Sequence, residues 1–233
     1  MSSPSPGAGQ AARAYPARPA AVYFYATCLV DMFVPEAGMD AITLLEREGI
    51  RVIFPDNQTC CGQPAFTSGF PEEAREVAAS QLDLFPEDYP IVVPSGSCAG
   101  MIRWHWEKIF ADDPARKARA AAIAARTFEF AEFLLHVVGF QRKDEGAPVT
   151  VALHTSCSAR REMGTLLVGR ELLARLCADK GIGTLLFGAD TPAGRRLDPA
   201  VFTGTTLRPW IGQVEEIKAD LFHRVDEIGR AHV

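Results

Sequence analysis

The chain has 233 residues, of which 48% are hydrophobic, with a formal net charge of −5 and a pI near 5.6. That composition supports a sizeable globular core and gives no electrostatic reason to expect nucleic acid or an anionic membrane as a partner. No apolar run approaches the ~20 residues of a membrane span, and six cysteines without a secretory signal fit the reducing cytoplasm, where clustered thiols more often hold metal or do redox chemistry than pair.

Residues 1–20, rich in Ala, Pro, Gly and Ser, read as a disordered leader. A β-prone run at 22–25 leads through Ala26-Thr27-Cys28 into a loop that ends at Pro35. Pro35 suits a first helical position, Met39, Ile42 and Leu45 recur at helical spacing, and Gly49 is a C-terminal stop. Residues 50–54 form the next strand, completing a βαβ unit. After Cys60-Cys61-Gly62, a helix opens at Pro71-Glu72-Glu73, carries Ala74, Val77, Ala78, Leu82 and Phe85 on one stripe, and stops at Pro86. A third strand spans 90–93, and Ser95 to Gly100 turns into a helix through Trp104 and Ile109. Residues 111–126 read as an exposed helix, 127–138 as a multiply apolar segment packed between two halves, and 141–148 as a linker.

The opening pattern then returns. Residues 149–154 read as a strand, Cys157 follows Val151 as Cys28 follows Val22, a leucine-rich helix spans 163–177, and 184–187 is a second strand. The last clear element is an amphipathic helix bearing Val214, Ile217, Leu221, Val225 and Ile228. The fold class expected is α/β, with two pseudo-repeated Rossmann-like βαβ halves, short parallel sheets and helices on both faces. The expected domains are a first cysteine-rich one over 21–140 and a second, degenerate one over 149–233.

Adjacent cysteines pair poorly with each other, because the bridge would close a strained ring. Cys60 and Cys61 more readily present two thiolates to one soft metal centre, with Gly62 turning the backbone beneath them. The competing reading is a pair of small buried apolar side chains. Cys28 and Cys98 change the weighing. Each of Cys28, Cys60-Cys61 and Cys98 falls just beyond the C-terminal end of an expected strand, and in a parallel sheet those ends share the edge where α/β folds gather ligands. Four thiolates suit a 4Fe–4S or 2Fe–2S cluster; they also suit tetrahedral zinc, and unmetallated thiols are the third alternative. Gly62, Gly96 and Gly100 would let loop amides approach cluster sulfurs, or are simply turn glycines.

His154, Arg160 and Arg161 lie beside Cys157 in sequence and could stabilise a reduced cluster or an anionic substrate, against a structural histidine and a surface ion pair. Cys177 reads as core, and Trp104 and Trp106 as packing around His105. No Gly-x-Gly-x-x-Gly fingerprint, flavin motif or Ser-His-Asp order is present, so hydride transfer and nucleophilic catalysis have no candidate residues.

Cys28, Cys60-Cys61-Gly62 and Cys98, together with His154-Thr155-Ser156-Cys157-Ser158-Ala159-Arg160-Arg161-Glu162, resemble the cysteine-rich CCG-domain family. That family takes in the heterodisulfide reductase B subunit, the glycolate oxidase iron–sulfur subunit and the small lactate utilisation proteins; Pro94-Ser95-Gly96-Ser97-Cys98 and the Ser-Cys-Ser-Ala-Arg-Arg-Glu run are most similar to the last. The resemblance covers roughly residues 20–178. It implies iron–sulfur binding, with 4Fe–4S favoured over zinc, through Cys28, Cys60, Cys61 and Cys98 and with Cys157 from the second repeat. It also implies an iron–sulfur electron-transfer subunit of an NAD-independent system oxidising L-lactate to pyruvate, beside a ferredoxin-like iron–sulfur subunit and a third subunit; the alternatives are a heterodisulfide-reductase-like or glycolate-oxidase-like iron–sulfur oxidoreductase subunit, or a zinc- or thiol-stabilised non-catalytic scaffold. Two features depart from the family. Met101 stands where many relatives close the first site with a Cys-x-x-Cys, and Ala189 and Asp190 stand where the repeat would place a second Cys-Cys. From about Ala178 the chain no longer looks like the family.

Overall fold

The computed structural model describes residues 13–141, 152–154, 157–164, 168–169, 171–172 and 185–187, all within the unit Met1–Gly188. Four strands, β1 (Ala21–Phe24), β2 (Arg51–Ile53), β3 (Ile91–Val93) and β4 (Thr127–Glu129), form one sheet in the order β2-β1-β3-β4, and every neighbouring pair is parallel. The register sets Val22 opposite Val52, Tyr23 opposite Ile91 and Val92 opposite Phe128. Strands buried on both faces must be apolar throughout, and Ala21 to Phe24 and Ile91 to Val93 are all buried.

Alternation of side chains assigns two cores. Val22, Phe24, Val92 and Phe128 face one layer, where α2 (Pro35–Arg47) contributes Ala41 and Leu45 and the segment after β4 contributes Phe133, Leu134 and Val138. Tyr23, Tyr25, Ile91 and Val93 face the other, packed by Ala78 of α4 (Pro71–Gln81), Trp106 of α6 (Trp106–Ile109) and Ala120 and Ile123 of α7 (Pro114–Ala125). The α/β class with helices on both faces is therefore observed. A second parallel pair, β5 (Ala152–His154) with β6 (Leu185–Phe187), sets Leu153 opposite Leu186.

Four details differ from the sequence expectations. The supposed loop after Cys28 is α1 (Cys28–Phe33), started by Thr27, whose hydroxyl accepts from the Val30 amide at 3.4 Å. The segment 127–138 begins as β4, then turns at the Glu129/Glu132 capping box into α8 (Phe130–Phe133) and a π-helical turn Leu134–Val138. Strand β4 escapes periodicity because three residues are too few to alternate visibly. The helix after Cys157 starts at that cysteine, as α9 (Cys157–Met163), and Gly164 then takes φ 64. Finally, the leader is held from Arg13 onward: Arg13 donates to the carbonyls of Ala125 at 2.7 Å and Thr127 at 3.0 Å and pairs with the buried Glu132 at 3.2 Å. The amphipathic segment 214–228 lies outside the described residues. Among the described residues, no helix is long and apolar enough to cross a membrane.

Candidate metal centre

Parallel pairing places the C-terminal ends of β1, β2 and β3 side by side, so the loops that follow them converge. The chain order reverses between β1 and β3, which makes the crevice above these two strands the switch point where open α/β sheets bind ligands. Cys28 opens α1 after β1, Cys60 and Cys61 precede α3 (Gln63–Thr67) after β2, and Cys98 lies within α5 (Gly96–Gly100) after β3.

All four are free thiols, Cys28 and Cys60 half-buried and Cys61 and Cys98 buried. They form a hydrogen-bonded chain in the order Cys28, Cys60, Cys61, Cys98. Cys60 accepts from Cys61, from the Gly62 amide at 3.5 Å and from Cys28, which holds it down at about 5 against the cost of burial. Cys98 accepts from Cys61 and from the hydroxyls of Ser95 and Ser97, and is lowered to about 7. The donors carry the opposite shift: burial and the bond to Cys60 push Cys28 up to about 11, and Cys61, whose one S–H proton is shared between Cys60 and Cys98, is pushed strongly upward. Two sulfurs are thus inclined to thiolate and two keep protons. Among the described residues, no three His, Cys, Asp or Glu side chains surround a common point as a closed ligand set. The donor chemistry nevertheless fits a soft metal ion or an iron–sulfur cluster: sulfurs from three loops, two already thiolate-prone, with an amide N–H directed at one of them.

The loop is held by groups that sequence reading passed over. Gln58 completes the end of β1, accepting from the Ala26 amide and donating to the Phe24 carbonyl, each at 2.9 Å. Gln81, fully buried in α4, accepts from the Thr59 amide at 2.9 Å. The buried Tyr25 hydroxyl donates to the Thr59 carbonyl at 2.7 Å, and Trp106 Nε1 donates to the Cys61 carbonyl at 2.9 Å. Burial raises the Tyr25 phenol strongly, and the four thiols, all near enough to act on it, add to the shift. Trp106 was expected to pack, and it does, with a polar task as well. None of these four carries a local motif, since each acts across 22 to 45 residues of sequence.

Two backbone positions are equally specific. Gly62 takes φ 87, and a Cβ there would stand 2.9 Å from the Ala74 carbonyl oxygen. Thr27, just before Cys28, takes φ 71 and ψ 146, a conformation that β-branched residues seldom adopt. Gly96 carries no such constraint beyond opening α5.

Cys157 is placed by its backbone at the first residue of α9, and α9 packs on α5, the helix that contains Cys98. At that contact Glu162 binds His105 Nε2 at 2.9 Å and accepts from Ser158 Oγ at 2.6 Å, while its carbonyl accepts from Trp104 Nε1 at 3.0 Å. A Cβ at Gly100 would meet the Glu162 carboxylate, the movable end of a long side chain, so the glycine leaves room for that carboxylate without being demanded by the backbone. Met101 is buried in the core that includes Cys61 and Cys98. His154 ends β5 and Arg161 is an exposed residue of α9; Cys177 and positions 189 and 190 lie outside the described residues.

A family model described as the CCG cysteine-rich domain matches residues 22–103, the span that carries β1 to β3 and all four clustered thiols. Over residues 22–103 the chain is similar to the cysteine-rich CCG domain. The chain is also 40% identical over 140 residues to "Lactate utilization protein A" of Shouchella clausii, a match covering 60% of this chain and 58% of that protein. Proteins of the same name from Geobacillus kaustophilus (41% over 145 residues, 61% of this chain and 59% of the relative) and Bacillus subtilis (36% over 155 residues, 66% and 65%) are similar. The chain spans about three-fifths of the length of these curated relatives. The CCG of the domain's name is Cys60-Cys61-Gly62, and here both its thiols and its glycine have distinct tasks.

Proposed function

We propose that this chain is an iron–sulfur electron-transfer component of a system that oxidises L-lactate to pyruvate, with Cys28, Cys60, Cys61 and Cys98 as the ligands of the first site and Cys157 drawn to the same region by α9. The observation that carries the reading is the contact of four thiols from three loops at the switch point of a CCG domain. The relatives' name supplies the lactate part. When bound, a 4Fe–4S cluster would supply a one-electron carrier. The chain's own residues do the rest: Cys60 and Cys98 offer sulfur already inclined to thiolate, the Gly62 amide donates to Cys60, and Tyr25 and Trp106 fix the loop by donating to the Thr59 and Cys61 carbonyls. The 2-hydroxy acid would be oxidised with other subunits, a ferredoxin-like iron–sulfur protein among them, because no hydride-accepting motif is present here.

A second reading is favoured by Ala189 and Asp190, which replace the second Cys-Cys. In it the same thiols hold zinc, or nothing, and the chain is a scaffold that supports lactate oxidation poorly. A relay lacking one of two centres must make a longer electron jump. Anaerobic purification followed by iron, sulfide and zinc analysis separates the two. Iron with equimolar sulfide, lost in each of Cys28→Ser, Cys60→Ser, Cys61→Ser and Cys98→Ser but retained in Cys177→Ser, supports the cluster; stoichiometric zinc without sulfide defeats it. Growth on L-lactate of a strain deprived of its own lactate utilisation protein A then tests the physiological part, with a version restoring Cys-Cys-Gly at 189–191 as comparison.

A further inference from the structure

Of the nine large apolar side chains that stand exposed among the described residues, five lie between positions 29 and 39: Leu29 (58%), Met32 (71%), Phe33 (67%), Val34 (46%) and Met39 (62%). They lie on α1 and the start of α2, and the first of them is the immediate neighbour of Cys28. Cys28 and Cys60 are the two half-buried thiols of the four, so this apolar face borders the open side of the site. Exposed apolar side chains concentrated in one short stretch in this way mark an interaction site more often than they mark nothing. Its charge surroundings are one-sided. Between Arg18 and Arg47 the chain carries Asp31, Glu36, Asp40 and Glu46 and no basic residue, and Asp31, Glu36 and Asp40 are exposed among the apolar side chains.

We infer that this face docks a redox protein whose own contact surface is an apolar centre ringed by lysine or arginine, bringing its electron carrier against the Cys28 loop. The inference rests on the electron-transfer reading above and specifies the surface through which it would act. An apolar centre excludes water and contributes affinity, while opposite charges at the rim steer the encounter and fix its orientation. The same rim argues against two other occupants. A second copy in an isologous contact would set acid against acid, and an anionic membrane would be repelled by Asp31, Glu36 and Asp40.

The test uses the metal-free full chain and cytochrome c as the probe, a basic protein whose lysines surround an exposed apolar haem edge, with binding followed by calorimetry at low and high salt. Binding at low salt should weaken about ten-fold or more in Met32→Ser/Phe33→Ser, and comparably in Glu36→Lys/Asp40→Lys, which should also flatten the salt dependence. Glu76→Lys/Asp83→Lys, exposed on the opposite side of the sheet, should change affinity less than about two-fold. Equal weakening by the opposite-side pair, no effect of either patch variant, or no measurable binding overturns the inference. So does a concentration-dependent dimer that Phe33→Ser dissociates, which assigns the face to a second copy, or anionic-vesicle binding that Phe33→Ser abolishes, which assigns it to a membrane. Because docking is read without metal, a chain that docks yet holds no iron defeats only the electron-transfer reading, and one that holds iron yet does not dock defeats only this face.

Discussion

At the scale of single residues, the site is a division of labour among four chemically identical side chains. Cys28 and Cys60 are similarly exposed, yet Cys60 accepts hydrogen bonds and Cys28 donates one, so their proton affinities part in opposite directions to about 5 and about 11. Only the thiolate is nucleophilic. In the metal-free chain, iodoacetamide at pH 6.5 should therefore alkylate Cys60 well before Cys28, and Cys28 should catch up only as the pH is raised toward 11. Peptide mapping by mass spectrometry reads both; equal labelling at pH 6.5 would show that the hydrogen bonds do not run as described. Gly62 is the second residue-scale case. Alanine there meets both a positive φ and the Ala74 carbonyl oxygen at 2.9 Å. Gly62→Ala should cost about 2–4 kcal/mol in urea unfolding, the left-handed penalty of about 1–2 kcal/mol plus displacement of backbone. A loss below about 1 kcal/mol would mean that α4 yields easily.

At the scale of elements, β4 and α8 share one device. Glu129 ends the strand and caps the helix, its carboxylate accepting from the Glu132 amide at 3.1 Å, while the Glu132 carboxylate accepts from the Glu129 amide at 3.3 Å. Burial raises the Glu129 carboxyl to about 7, overriding the cap bond that lowers it. A folded-state value above the unfolded one means that this group contributes stability fully only below about pH 4.5 and loses it as the pH rises through about 7. Glu129→Gln keeps an oxygen for the cap and removes the charge. It should leave the melting temperature nearly unchanged at pH 4.5 and raise it at pH 8, by the equivalent of about 1–3 kcal/mol. A variant that melts lower at pH 8 would show that the cap needs the charge more than the core resents it.

At the scale of the whole molecule, the thiol cluster rests on a scaffold that does not depend on the thiols for its own core. Small zinc domains fold only when loaded, because their ligands are their core. Here the CCG loop is held by Gln58, Gln81, Tyr25 and Trp106, all drawing on a sheet and two helical layers that exist without it. Cobalt(II), a visible probe for thiolate ligation, should therefore raise the melting temperature without changing the far-UV circular dichroism. At a hundredfold excess over its dissociation constant the stabilisation should approach about 2.7 kcal/mol. Trp106→Phe should weaken cobalt binding while leaving the spectrum of the folded chain intact. A large gain of helix signal on adding cobalt would mean that the site assembles with the metal.

How much of this was legible in the residues divides along one physical line. Features written in local chemistry were readable: the β-branched and aromatic strand runs, Pro35 and Pro71 opening helices, the cysteines just past strand ends, and the parallel order that brings three loops to one edge. The triplet β4 was not, because three residues hold too little periodicity to outvote the apolar segment around them. Nor were Tyr25, Gln58, Gln81 and Trp106, whose roles exist only once distant backbone carbonyls and amides are brought within hydrogen-bond reach. The sequence by itself determined which atoms could meet at the site; the tertiary structure decided which thiols keep their protons, because a proton's affinity depends on the donors and the dielectric around it, and those are supplied by residues remote in the chain.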